Sequence, residues 1–247
     1  MKSILKYLGL GVFRFLNTYL RGATINNLLR IEPELIIKDM HLKNIEIKNF
    51  YDIGAATGNF ARDIIAKFPD MNLYLFEANS VHETALKKLN HWYHIGVLSD
   101  TEKDISFYSR GEYGDSYYKE NSSVYKNEEV QHFRSQSLDN LIENEGIPYP
   151  DFLKIDTQGS ELDILKGASK CLKLTKIIML ELPIYPYNEG APTMPEYIEL
   201  LLDNDFYPAR CVELHNNHGV MAQVDIVFIK KSELMKIDNT FEGFYLK

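Results

Sequence analysis

The feature that most limits what this chain can fold into is an alternation that begins at Asn49. A short apolar run, NFYDI, is followed by a helix-patterned stretch over 59–67, a second run, NLYLFE, and a second helical stretch over 81–89. Strand and helix in turn require right-handed crossovers, and crossovers set strands side by side in a parallel sheet with helices on both faces. The rhythm continues through YHIGVL, a polar stretch whose DISFY reads as a hairpin strand at the rim, the buried run PDFLKI, the helix SELDILKGA ended by Gly167, and KIIMLEL. Beyond the helix MPEYIELLLDN, the segments FYPARCVEL and AQVDIVFIK read as an antiparallel pair that closes the sheet. The expected fold is α/β: a doubly wound, mostly parallel, seven-stranded, Rossmann-like sheet over residues 49–247, with residues 1–48 as an N-terminal helical cap. Gly and Pro are scattered rather than gathered into a linker, so one domain is expected.

In such a sheet a ligand lies beyond the carboxyl ends of the strands, where the strand order reverses, so the loops after strands carry the function. The first of these is DIGAATG, Asp52 to Gly58. Gly54 and Gly58 allow a tight turn with close backbone approach, and the helix that follows presents free N–H groups, which points to a nucleotide-type ligand. The dinucleotide fingerprint G-x-G-x-x-G is absent, because Ala56 and Asn59 stand at its second and third glycine positions. A carboxylate at Asp52 repels a pyrophosphate and attracts the ammonium of a methionine moiety, so the charge favours S-adenosylmethionine over NAD. Glu77 stands 77 − 54 = 23 positions beyond Gly54, close to the roughly 20 that place an acidic side chain at the end of the second strand for the ribose hydroxyls.

The stretches YDIGAATGNF, LYLFEANS, IGVLSD, NSSVY, SLDNLI, FLKIDTQGSELDILKGA, LELPIYPYNEGAP and QVDIVFIKK occur in an order that resembles the FkbM-type methyltransferase family. The resemblance runs from about Tyr51 to Lys230. It implies a class I methyltransferase fold, S-adenosylmethionine as cofactor and O-methylation of a glycan or natural-product hydroxyl. The expected cofactor contacts are Asp52, Gly54, Ala55, Gly58, Asn59, Glu77, Ala78 and Ser99. Two departures stand out: Ala78 occupies a position often held by proline, and Gln158 and Ser160 replace a common glutamate and alanine. Loss of that glutamate removes an oxygen ligand, so no metal site is expected and a divalent cation is not favoured.

Removing the proton of an acceptor hydroxyl requires a base or a metal. Asp156, at the end of FLKI, is the first candidate; the same residue could equally accept a substrate hydroxyl, ligate a cation or cap the helix that opens near Gly159. Glu181 ends the next strand beside Tyr185 and Tyr187, a combination that suits a sugar or a packed loop. His215 shares the polar turn HNNHG with His218 and is the third candidate. Glu161 and Asp163 read as structural, in the first turn of a helix, and Asn121, Ser122 and Ser123 as part of a lid.

A formal net charge of −8 argues against nucleic acid, which selects for a basic face. A small-molecule or glycan hydroxyl is therefore the expected partner. Cys171 and Cys211 form no disulfide framework, which fits a reducing cytoplasm with both thiols in the core. Residues 1–21 combine an apolar face with Lys2, Lys6, Arg14 and Arg21; they read as an amphipathic helix for packing, self-association or weak membrane-surface docking. The rival readings are an NAD-dependent oxidoreductase, weakened by the missing glycines and by Asp52, and a non-catalytic cofactor-binding partner subunit.

Overall fold

In the computed structural model, residues 33–109, 114–120, 129–185, 188–217 and 220–237 are described. Helix α1, Pro33–Leu42, precedes β1, Asn49–Ile53, and the DIGAATG turn leads into α2, Asn59–Lys67. Strand β2, Asn72–Glu77, is followed by a 3₁₀ turn, Ser80–His82, that runs into α3, Glu83–Lys87, and then by β3, Trp92–Ile95. The single helix expected over 81–89 is thus two short elements, because Asn79 accepts from the Val81 N–H and starts a tighter turn. β3 stops before Gly96, whose N–H turns back to the Glu77 carbonyl at 2.9 Å.

DISFY forms β4, Asp104–Ser109, which pairs antiparallel with β5, Glu129–Arg134, as a two-stranded sheet apart from the central one. The chain returns through α4, Leu138–Glu145, to β6, Phe152–Ile155, and then through α5, Glu161–Lys166, and α6, Ser169–Leu174, to β7, Ile177–Pro183. Helix α7, Met194–Asp203, opens with a Thr193–Glu196 capping box. The long pair β8, Phe206–Asn217, and β9, Val220–Lys230, follows, and α8, Lys231–Ile237, comes last.

The seven strands of the central sheet run in the order β3-β2-β1-β6-β7-β9-β8. The first five are parallel, and β9 enters antiparallel between β7 and β8. Adjacent residues alternate between two buried layers. Tyr51, Ile53, Leu153, Ile155 and Leu180 join α4–α7 on one face, while Phe50, Phe152 and Met179 join Ile36, Ile37 and Met40 of α1 and Ile64 of α2 on the other. The order reverses between β1 and β6, which opens a crevice at their carboxyl ends.

The polar turn expected at HNNHG is corrected for His215. It lies within β8, opposite Gln223 of β9, because the strands run on past the apolar segments to Asn217 and Val220. Cys171 is buried, whereas Cys211 is exposed rather than in the core. Among the described residues no helix is long and apolar enough to cross a membrane. The amphipathic helix expected over 1–21, the lid residues Asn121, Ser122 and Ser123, and also Tyr187 and His218, fall outside the described residues.

Candidate active site

The crevice holds a cavity of about 320 Å³, at the lower end of the range for small-molecule sites. Its first end is built by the turn after β1. Gly54 has φ +82°, and a Cβ there would stand 1.8 Å from the Asp156 carbonyl oxygen, so only glycine lets the two strand ends approach. The Gly54 and Ala55 N–H groups donate to the Phe76 carbonyl, which ties the turn to the end of β2. Glu77 completes this end. One oxygen of its carboxylate accepts from the Ala56 N–H at 2.7 Å and the other from the Asn79 N–H at 2.8 Å. Burial raises its pKa, and those two N–H groups oppose the rise. Gly54, Ala55, Asn59, Glu77 and Ala78 all line the cavity, with Phe76, Val97, Leu98 and Phe107 as apolar wall.

The other end is built by side chains from several strands. Asp156 and Glu181 both line it. The Lys154 ammonium lies 3.0 Å from Asp52 and 3.4 Å from Asp156. Burial alone would drive the Lys154 pKa down; the Asp52 and Asp156 carboxylates more than reverse this, so the group stays charged. Gln158 donates to Asp156 at 3.3 Å and to Glu181 at 2.6 Å, bridging the two carboxylates with one amide. Its own backbone is held at φ +57° by the Ser116 hydroxyl and the Asn188 amide, which both donate to its carbonyl. Burial and the charges of Asp156 and Asp225 push the Glu181 pKa well above the usual carboxylate range.

A roof comes from the segment after β4. Asn79, buried, donates to Asp115 at 2.7 Å and to Ser109 at 3.1 Å, while the Tyr117 and Tyr118 hydroxyls both donate to Asp163. Ser116 and Tyr117 line the cavity from that side.

The description of a methyltransferase FkbM domain matches residues 52–208, from the carboxylate before the glycine turn to the start of β8. The chain belongs to the FkbM methyltransferase family. The matched region is therefore a methyltransferase domain of the S-adenosylmethionine-dependent kind, and the strand order is that of its class I, Rossmann-like fold. Among curated proteins, none matches the sequence. Of solved structures, the methyltransferase FkbM from Methylobacillus flagellatus KT is similar at 15% identity and TM-score 0.46, over 73% of this chain and 43% of that one. This chain thus spans less than half the length of that protein. A magnesium protoporphyrin IX methyltransferase from Synechocystis PCC 6803, solved with bound SAM, is similar at 9% identity and TM-score 0.45, over 90% and 91% of the two chains. A precorrin-6y C5,15-methyltransferase from Geobacter metallireducens GS-15 is similar at 14% identity and TM-score 0.44, over 81% and 90%.

In this family member, three residues expected at the cofactor do not line the cavity. Asp52 is fully buried beneath the turn with its charge met by Lys154, so the expected direct pairing with a ligand ammonium does not fit its placement. Gly58, at φ +75°, caps α2 and backs onto Leu86 and Leu89. The buried Ser99 hydroxyl donates to Asp100 and lies 3.3 Å from that of Tyr117. The capping alternative for Asp156 is also set aside. The Thr157 and Gly159 N–H groups donate to Glu161, so Glu161 anchors this loop and Asp156 faces the cavity. His215 does not line the cavity but stands 3.7 Å from Glu181, which does.

Lys154, Asp225 and Gln158 went unassigned by sequence reasoning. A lysine inside FLKI and an aspartate inside VDIVFI are charges in otherwise apolar strands, which is the signal that could have found the first two.

Proposed function

We propose that this chain transfers the methyl group of S-adenosylmethionine to a hydroxyl oxygen of a small molecule, with a sugar or glycan hydroxyl as the acceptor class. The observation that carries this reading is one cavity with two differently built carboxylate ends: Glu77 beside a glycine turn, and Asp156 beside Glu181. Glu77 is aligned by two backbone N–H groups and keeps lone pairs for ribose hydroxyls. The turn residues Gly54, Ala55 and Asn59 with Ala78, which line the cavity, would hold the rest of the cofactor. The cofactor supplies an electrophilic methyl on a sulfonium.

The chain's own part is to orient the acceptor and take its proton. Asp156 is the proposed base: its carboxylate would take the O–H proton as the acceptor oxygen is methylated, with the neutral thioether as the leaving group. Lys154 and Gln158 fix the carboxylate from two sides. Alignment of acceptor and methyl supplies much of the acceleration in such a displacement. Glu181, whose pKa is raised by burial and by the charges of Asp156 and Asp225, is an orienting group beside that base, and His215 stands behind it. The charge of −8 disfavours a nucleic-acid acceptor.

The test is incubation with methyl-labelled S-adenosylmethionine and fractionated cell extract. Label in carbohydrate or lipid-linked glycan fractions is expected. Label confined to RNA, or tighter binding of NAD than of S-adenosylmethionine, overturns the reading.

A further inference from the structure

Glu181, His215 and Asp225 are far apart in sequence and come from three adjacent strands. Glu181 stands directly opposite Asp225 across the antiparallel β7–β9 pair. Asp225 stands opposite Glu213 of β8, so His215, two residues along, is its diagonal partner; diagonal positions are within reach of long side chains. Irregular pairing on both sides of this stretch, at Cys211/Glu213 and at His215/Asn216, bends β8 locally. The His215 Nε2 lies 3.3 Å from Asp225 Oδ1 and 3.7 Å from Glu181 Oε1, and one ligand atom from each residue falls within 4.8 Å of the other two. Donors that share one small cation at about 2.0–2.2 Å stand roughly 3–4 Å apart.

A second observation is independent of the spacing. His215 Nε2 and Asp225 Oδ1 are buried and face each other at 3.3 Å as an ion pair without a well-aligned hydrogen bond to any described residue. Buried polar atoms are nearly always well hydrogen-bonded, so two that face each other without an aligned bond suit a common partner between them. Like charges directly opposite on paired strands also destabilise a sheet, and the Gln158 amide, a neutral group, meets only the far oxygen of Glu181.

We infer that Glu181, His215 and Asp225 bind one divalent first-row transition cation through one imidazole nitrogen and two carboxylate oxygens. Such a set suits Mn²⁺ or Zn²⁺ rather than a soft ion. Three protein ligands leave coordination positions open, as in metal sites that act on a substrate. Of the three, Glu181 lines the cavity, so the site adjoins its acceptor end. A cation there would lower the pKa of an acceptor hydroxyl whose proton passes to Asp156; this role rests on the proposed methyl transfer, whereas the site does not.

The experiment is titration of tag-free, chelator-stripped protein with MnCl₂, read by loss of the electron paramagnetic resonance signal of free Mn²⁺. About one ion per chain is expected, with affinity reduced at least ~10-fold in Asp225→Asn and in His215→Gln and unchanged in Glu77→Ala. His215→Gln replaces a partly exposed ring and guards against a folding defect in the Asp225 variant, with near-ultraviolet circular dichroism as the check. No bound Mn²⁺ in the wild type overturns the inference, as expected if His215 is only a counter-charge to the two carboxylates. Equal affinity in both folded variants overturns it too. S-adenosylhomocysteine is titrated into the same samples: Mn²⁺ binding without it leaves the metal site standing and sinks the methyl-transfer reading, and the converse does the reverse.

Discussion

The two ends of the cavity are made in different ways. The turn end is backbone: Gly54, Ala55 and Ala56 come from one loop, and Glu77 is held by N–H groups of that loop and of Asn79. The acceptor end is side chain on side chain, with Lys154, Asp156, Gln158 and Glu181 joined by hydrogen bonds and His215 and Asp225 adjoining, across β6, β7, β8 and β9. Backbone can hold one ligand type with few residue demands, while side chains can be exchanged to suit different acceptors. In the proposed function, the difference separates a fixed cofactor role from an adjustable acceptor role on one sheet.

The sharpest way to break that separation is Asp156→Asn. Loss of a positioned base lowers turnover by about 10²–10⁴-fold, and because the substitution touches only the acceptor end, affinity for S-adenosylhomocysteine should stay within about 2-fold. Steady-state kinetics paired with calorimetry checks both. Near-normal turnover removes Asp156 from the chemistry.

An effect of similar size, on stability rather than turnover, is expected where the two ends meet. Lys154→Met leaves the Asp52 carboxylate, fully buried, without its cation. Removing one partner of a buried pair costs about 3–5 kcal/mol, to be read from urea midpoints. A loss below about 1 kcal/mol means that the two ends do not share this strut.

The same contrast explains what was legible in the sequence. The alternation from Asn49 and the spacing from Gly54 to Glu77 are local, so the mostly parallel sheet and the turn end follow from residues close together in the chain. The acceptor end depends on register: Glu181 meets Asp225 only because β9 inserts antiparallel beside β7, and nothing in either segment states which residues face each other. His215 reads as part of a polar turn for the same reason, since Asn216 and Asn217 carry turn chemistry yet continue β8. Asp52 reads as a ligand contact because its partner, Lys154, is 102 positions away.

The smallest effect expected belongs to neither end. At the opposite ends of the strands, Asp151 accepts from the Lys48 and Asn49 N–H groups and pairs with Lys176 at 2.7 Å. Burial works against its charged form, and Lys176 and the two N–H groups outweigh burial, so its pKa lies below the ordinary value. Its contribution is present above the unfolded value near 4 and is lost as pH falls through the lower folded value. Asp151→Asn should cost about 1–2 kcal/mol at neutral pH, with the gap to wild type closing on acidification and turnover unchanged. A gap independent of pH contradicts the charged role.

The division of the cavity is tested most directly by calorimetric titration of S-adenosylhomocysteine into wild type, Glu77→Ala and Asp156→Asn side by side. Loss of the ribose acceptor is worth about 1–3 kcal/mol, so binding to Glu77→Ala should weaken by roughly 10- to 100-fold, while wild type and Asp156→Asn bind alike. Equal affinity for all three proteins, or a larger loss in Asp156→Asn than in Glu77→Ala, contradicts the account.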